Sequence, residues 1–341
     1  MELSAEERRR RTDALKEAAR RLGFCEVGVA RAEPLEKEFA RYLAWLERGY
    51  HGAMAYLERN LERRADVRAI LPGAQSVVVV AYNYYVPASH DAFAQEPHRY
   101  GKISRYAWGD DYHEVLRPKL EALAATLSEL VPGAESRLYI DTGPVLEKAW
   151  AVRAGIGWQG KHTNIISRRY GSWLFLGVLI TTAELEPDVP LQDYCGTCTA
   201  CLRACPTGAL VEPYVLDARR CISYWTIEVK PETPIPDEIA EHMEGWIFGC
   251  DICQEVCPWN RFQKPTEEAA FAPRNGESCL ELDALLAMTP EEFRHRFRRS
   301  PLKRPKYEGI QRNARVWRAV SENRYGSGQS RTAPAFGHEA V

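Results

Sequence analysis

Eight of the ten cysteines in this 341-residue chain lie between Cys195 and Cys257, and their spacing points to iron–sulfur chemistry. Cys195, Cys198, Cys201 and Cys205, followed by Pro206, read C-x2-C-x2-C-x3-C-P. Two-residue loops let three thiolates converge on one 4Fe–4S cube, while the fourth cysteine, set before a chain-redirecting proline, faces a second cube. Cys250, Cys253, Cys257 and Pro258 form another run that lacks one ligand, and Cys221 between the runs can supply it. The count closes at two clusters of four: Cys195, Cys198 and Cys201 with Cys257, and Cys205, Cys221 and Cys250 with Cys253. A pair of zinc sites also favours paired cysteines, but explains neither the Cys-Pro pairs nor the crossed count. Disulfides rank last, because clustered cysteines in a reducing cytosol are metal ligands more often than bridges. Cys25 and Cys279 stand alone and read as small apolar residues. Two adjacent clusters make a one-electron wire, so the rest of the chain must supply the substrate site.

Composition bounds that site. Apolar residues make up 45% and charged residues 27%, with 45 Lys or Arg against 47 acids and a net charge of −2. A protein basic throughout is excluded; a local basic patch is not. The densest apolar stretch, Trp173 to Ile180, is far shorter than the roughly 18 residues of a membrane span. The N-terminus has no apolar signal core, and Glu2, Glu6, Glu7, Asp13 and Glu17 argue against an organellar presequence. The chain is expected in the cytoplasm, with no membrane partner, acting as a monomer.

The elements that must position the ligands alternate between helix and strand. Leu15, Ala18, Ala19 and Leu22 mark a helix stopped by Gly23, and another helix covers about Glu36 to Arg48. Ser76 to Tyr82 reads as a buried strand. Asp110-Asp111 caps a helix to Leu130. A strand over Arg137 to Ile140 leads into Asp141-Thr142-Gly143-Pro144, and Pro144 starts a helix to Ala154. Trp173 to Thr182 is a third strand. The expected fold class is α/β or α+β. Pro187 and Pro190 separate a first domain, 1–187, from a cysteine module over 188–262. A helical, basic segment over 263–325 and a loosely held tail over 326–341 follow.

Two motifs in the first domain fail on context. Gly155-Ile156-Gly157-Trp158-Gln159-Gly160 matches G-x-G-x-x-G, but follows a helix where a dinucleotide loop must follow a strand. With Lys161 it also matches G-x4-G-K, but His162 stands where a P-loop needs Ser or Thr. Gly155 reads as a helix C-cap, and three glycines in six residues suggest a backbone that approaches something closely. Asp111-Tyr112-His113 begins the D-x-H-x-x-G of histidine-ligated cobalamin proteins, but Leu116 replaces the glycine. His113 is expected at a helix start or pocket wall.

Several segments together resemble the epoxyqueuosine reductases, cobalamin-dependent iron–sulfur enzymes that finish queuosine in tRNA. They are Ile103-Ser104-Arg105-Tyr106-Ala107, Gly109-Asp110-Asp111-Tyr112-His113, Asp141 to Glu147, Gly155 to Lys161, the crossed cysteines, and Gln311-Arg312-Asn313-Ala314. The resemblance implies a nitroreductase-like, cobalamin-binding α/β domain, a bacterial-type two-cluster ferredoxin domain and a helical C-terminal segment. Many members continue into a helical HEAT-like repeat, where this chain has its Gly/Ser/Pro tail. The position matching Asp141 sits above the cobalt as proton donor. Positions matching Arg64, Ser104 and the loop carrying Gly157, Lys161, Asn164 and Ile165 line the cofactor pocket. Converting the epoxide to an alkene takes two electrons and two protons and releases water. Clusters deliver single electrons, cobalamin can gather two, and the alkoxide formed needs a general acid. An ordinary aspartate is ionised at neutral pH, so Asp141 needs a pKa raised by burial; without the resemblance it reads as an Asx turn.

The reductive dehalogenases share the cobalamin-plus-two-cluster plan and supply the alternative, with small organohalides as substrates. Their export signal is missing, since Arg8 to Arg11 precede no apolar core. An electron-transfer ferredoxin with an accessory domain would leave the first domain unexplained. For the tRNA partner, ten Lys or Arg face one acid between Arg294 and Arg318. Arg298, Arg299, Lys303, Arg304, Lys306, Arg312, Asn313 and Arg315 are expected to hold phosphates around the anticodon loop. An external one-electron donor is also required.

Overall fold

The computed structural model describes residues 3–325, so the expected tail over 326–341 lies outside the described residues. The chain divides into two compact units, each discontinuous in sequence. The first comprises residues up to Val86, Asp110–Cys221 and Asp251–Phe271; the second comprises Pro87–Gly109, Ile222–Cys250 and the residues from Ala272 on. Compactness thus groups the chain differently from the linear boundaries expected at 187 and 262.

The first unit is built on a four-stranded antiparallel sheet. Its spatial order is Glu26–Arg31, Ser76–Asn83, Leu174–Thr181 and Ser136–Tyr139. All eight residues of Ser76–Asn83 are buried, because both faces of the sheet are covered. Val77, Val79 and Ala81 pack with Trp150, Ala151 and Ala154 of the helix Glu147–Arg153 and its end. On the opposite face the helix Tyr112–Leu130 turns Leu116, Leu120, Leu123 and Leu127 inward. This is the period of two that a pleated strand imposes, read twice by two helical layers. The fold class is mixed α/β, as expected.

Most boundaries fall where local chemistry put them. The first helix is Ala5–Arg21, with Gly23 at φ +91° behind it. Asp111 caps Tyr112–Leu130, its Oδ1 accepting the His113 N–H at 3.1 Å. One start moved: the helix expected from Pro144 begins at Glu147. Gly155 ends that helix at φ +70° as a C-cap.

The glycine run then makes a hairpin. Trp158–Gln159 pairs with Ile165–Ile166, and the Gly160 N–H donates to Asn164 O at 2.8 Å to close the loop. A Cβ on Gly157 would lie 2.1 Å from Ile166 O, so what the backbone approaches closely is the protein itself. No helix opens here, and both phosphate-loop readings end.

The second unit has a three-stranded sheet with Tyr100–Ile103 between Trp246–Phe248, parallel, and Cys279–Glu281, antiparallel. Helices Leu282–Ala287, Pro290–Arg296 and Lys306–Tyr325 follow. The last buries Ile310, Ala314, Trp317 and Ser321, one face at helical spacing. Among the described residues no helix is long and apolar enough to cross a membrane.

Candidate functional site

Four thiols of the first unit surround a common space. Cys195, Cys198, Cys201 and Cys257 line a cavity of about 180 Å³. The loop is tied by the Cys198 N–H on Cys195 O at 3.0 Å and the Cys195 N–H on Asp193 Oδ1 at 2.7 Å. Cys201 rides on the short helix Ala200–Ala204, and Cys257 immediately precedes the 3-10 turn Pro258–Phe262. Lys161 stretches across to this loop, its Nζ donating to Gly196 O at 2.6 Å and Cys198 O at 2.8 Å. Burial pushes the Cys257 thiol up to about 11, and the charges of Cys195, Cys201 and Cys198 add to the effect. Thiolates so crowded need a cationic centre to coexist. They ring a volume, as the ligands of a cubane must.

The other cysteines repeat the pattern as far as the unit extends. Cys253 is pushed up by burial and then by Cys221 and Cys205. Those are the partners the crossed count gives it. The Ala209 N–H donates to Cys205 Sγ at 3.2 Å, as thiolate ligands of clusters commonly accept. Cys250 is the last residue of its segment in the second unit, one residue before Asp251 re-enters the first. Cys25 sits half-buried under the sheet, raised to about 12 by burial, and is inert. Cys279 is buried in its strand.

Asp141 follows the sheet strand Ser136–Tyr139 with φ +59° and is exposed, which corrects the burial expected of it: the turn carries its side chain out from the sheet end. Its Oδ2 accepts the Tyr112 O–H at 3.0 Å and lies 3.8 Å from His113 Nε2. His113 in turn is oriented by Asp111, Nδ1 to Oδ1, at 2.7 Å. The Asp141 N–H donates to Glu147 Oε1 at 2.7 Å, which explains why the helix starts at Glu147 with its side chain folded back. Desolvation, then the Asp141 carboxylate, pushes Glu147 up to about 8. Desolvation pulls the Lys148 ammonium down, although Lys148 is exposed and donates to Asn164 Oδ1 at 2.9 Å. Asp141, Glu147, Lys148 and Asn164 thus form one polar wall beside the sheet end. His162 is buried with Nε2 lacking a partner, and burial lowers it to about 4, so it is neutral. Its Nδ1 accepts the Asn164 N–H at 3.2 Å.

The expected cofactor residues divide. Asp141 and Asn164 belong to this wall. Lys161 is committed to the cysteine loop instead. Ile165 points into the sheet core and Gly157 packs on Ile166 O, leaving their main chain only. Arg64 is buried, with Nε and Nη2 on Arg59 O and Tyr56 O and its guanidinium over the Tyr42 ring. It is not the solvated helix charge that the surrounding residues suggest. Ser104 is buried in the second unit, its N–H on Phe248 O at 2.9 Å. Tyr112, Glu147 and Lys148 were missed. Glu147 closes the segment from Asp141 already singled out, and its six-residue offset was the available signal.

The basic run divides too. Arg298, Arg299, Lys303, Arg304, Lys306 and Arg315 are exposed. Arg312 and Asn313 are a correction: both are buried in the second unit. Arg312 donates to the carbonyls of Trp225, Lys230 and Thr233 at 2.6, 2.8 and 3.0 Å, and Asn313 Nδ2 to Thr226 O and Ile247 O. Gln311 reaches Leu285 O at 2.6 Å. Gln311 to Asn313 therefore tie carbonyls together and face no phosphate. Arg304 pairs with Glu228, Arg296 with Glu277, and Arg318 with Asp283 and Glu322, which trims the local excess of positive charge.

Comparison with known proteins agrees with this layout. A family profile described as epoxyqueuosine reductase QueG, DUF1730 matches residues 64–142, and a 4Fe–4S double cluster binding domain matches 194–260. The epoxyqueuosine reductase of Synechocystis sp. is 48% identical over 293 residues, covering 85% of this chain and 99% of that protein. That of Escherichia coli K12 is 41% identical over 279 residues, 82% and 73%. A crystal structure of epoxyqueuosine reductase with an epoxyqueuosine-modified tRNA-Tyr stem loop superposes with TM-score 0.82 at 34% identity, over 90% and 80% of the two chains. The Bacillus subtilis enzyme superposes with TM-score 0.83 at 32% identity, over 93% and 86%.

Proposed function

The chain belongs to the epoxyqueuosine reductase family, and from that membership we propose how its own residues reduce epoxyqueuosine to queuosine in tRNA. The observation that carries the reading is Asp141. Its carboxylate projects from a strand end, held between Tyr112 and a back-folded Glu147, in the same unit as the four-thiol cage. Epoxide opening leaves an alkoxide, and Asp141 is the acid that protonates it; exposed rather than buried, it takes up that proton from solvent in each turnover. Tyr112 O–H fixes the carboxyl rotamer, and His113, itself oriented by Asp111, adds a second polarising group from the same helix turn. Glu147 holds the Asp141 main chain; being neutral at pH 7, it adds no second negative charge to the wall.

Lys148, Asn164 and the unpartnered Nε2 of His162 offer polar groups to an amide-fringed ligand, which supports cobalamin at this wall. When bound, it supplies the means of collecting two single electrons for one two-electron reduction. Lys148 and Asn164 would hold it beside Asp141. The clustered thiols hold two 4Fe–4S clusters. The exposed cations Arg298, Arg299, Lys303, Arg304, Lys306 and Arg315 bind tRNA phosphates, without sequence preference. A tRNA substrate places the enzyme in the cytosol, where it works as a monomer. The dehalogenase alternative lacks an observation of its own.

The test is an anaerobic assay of reconstituted protein on epoxyqueuosine-containing tRNA, followed by mass spectrometry of the released nucleoside. Loss of one oxygen from the nucleoside is expected. A fully loaded protein that leaves the nucleoside intact, or that reduces a small organohalide instead, would overturn the assignment.

A further inference from the structure

The cage of Cys195, Cys198, Cys201 and Cys257 has one open edge. Cys201 and Cys257 are buried, but Cys198 is exposed together with Gly196 and Thr197. Aromatic rings lead outward beside it. Trp158 meets Trp259 at 4.8 Å between centroids, and Trp259 meets Phe262 at 5.6 Å. Phe262 is 39% exposed and Tyr214 40%, two of the few large apolar side chains left in water among the described residues. Tyr214 is held outward at φ +70°, its N–H on Lys161 O at 3.1 Å and its O–H on Asp193. That contact, with the Cys195 N–H, engages the carboxylate of Asp193. Arginines stand among these rings, and the exposed acid Glu212, two residues before Tyr214, is paired with Arg48. Arg168 lies 5.1 Å over Tyr194, Arg261 lies 4.7 Å over Phe262, and Arg203 is exposed on the helix that carries Cys201.

We propose that this arginine-rimmed aromatic surface docks a small acidic electron-carrier protein, which reduces the cluster through its Cys198 edge. The inference rests on the reading of the cage as a 4Fe–4S site. An exposed ligand loop says that electrons enter here; the aromatic centre says that the reductant has a surface of its own, since a small molecule needs none. Arg, Trp, Tyr and Phe are the residues enriched at protein interfaces. Arginines stacked on rings are already ordered, which lowers the entropy lost on binding. In a chain of net charge −2, a local positive rim steers an acidic partner to this edge and repels a basic one. Each docking transfers one electron: the carrier is oxidised and the cluster passes from its 2+ to its 1+ level. Two such events match the two electrons that, with two protons, turn the epoxide into alkene and water.

The experiment compares two reductants on protein carrying both clusters: dithionite, and an acidic plant-type 2Fe–2S ferredoxin kept reduced. With ferredoxin, the rate of cluster reduction should fall steeply as salt rises; with dithionite it should not depend on a docking surface. Arg168→Glu with Arg203→Glu should lower kcat/KM for ferredoxin at least about tenfold, the effect of two rim charges on a steered association. The same variant should keep the dithionite rate and its tRNA affinity. A ferredoxin rate unmoved by salt or by the double variant overturns the proposal, as does a loss of tRNA affinity, which would make the patch a tRNA surface. Failure of the cluster reading looks different: no iron in the wild-type protein, and no reduction by either reagent.

Discussion

Asp141 owes its setting to three neighbours, and each makes a separate claim on the chemistry. The positive φ is a conformation that Asp and Asn tolerate better than other non-glycine residues, so Asp141→Asn keeps the backbone while removing the transferable proton. Turnover should fall by about 10²–10⁴-fold with both clusters and cobalamin retained, as stopped-flow kinetics and absorption spectra would show. Near-native turnover would reduce Asp141 to a turn residue. Glu147 predicts a pH dependence. Its carboxyl is raised by desolvation to about 8, so the neutral form's contribution is complete below the ordinary carboxylate value of about 4.3 and is lost as pH climbs through 8. Above that pH two adjacent carboxylates repel and the Asp141 turn loosens. The kcat profile should therefore descend near pH 8, and Glu147→Gln should remove that limb while keeping most of the neutral-pH rate. An unchanged alkaline limb in the variant would assign it elsewhere.

At the scale of elements, the hairpin Trp158–Gln159 with Ile165–Ile166 carries Asn164 to the wall and Lys161 to the cysteine loop from a single turn. Its tolerance is small, because a Cβ on Gly157 would meet a main-chain oxygen that cannot move alone. Gly157→Ala should cost about 1–3 kcal/mol in a denaturant titration and lower cofactor affinity, since both arms of the loop shift together. A variant of wild-type stability would show that the hairpin relaxes freely. Much of this level was legible in the sequence. The valine run, the Asp111 cap and the Gly155 stop are local signals, and each element formed within a residue or two of its expected place. The helix after Pro144 began late because Glu147 bonds back to Asp141, a contact no propensity reports. The Tyr112–Asp141 pair spans 29 residues and joins a helix start to a strand end, so only the packed sheet reveals it. Arg312 and Asn313 misled for the opposite reason: a charge count registers sign, while their role depends on burial.

For the whole molecule, the crossed cysteines predict about eight irons and eight acid-labile sulfides per chain. Cys257→Ala should damage the cluster held mainly by the first cysteine run, and Cys205→Ala the one held mainly by the second, as resolved by electron paramagnetic resonance. Signals showing each run serving its own cluster would sink the crossed assignment. The basic run separates into binding and structural parts. Lys303→Glu with Lys306→Glu should weaken tRNA binding and flatten its salt dependence, since both are exposed. Arg312→Met should instead strand the carbonyls it serves and cost at least about 3 kcal/mol of stability, leaving the affinity of the folded fraction unchanged. A loss of affinity without a loss of stability would return Arg312 to the binding surface. The helix Lys306–Tyr325 also has a bearing on how the protein is made. Arg312, Asn313 and Trp317 reach back to carbonyls at Trp225, Thr226, Lys230, Thr233, Ile247, Pro97 and Tyr100, so three separate stretches of the second unit are fastened by residues synthesised only after all of them. Until then the nascent chain carries those stretches unfastened, and a stop codon a few dozen bases before the helix ends should send the product to proteases as surely as one near the start.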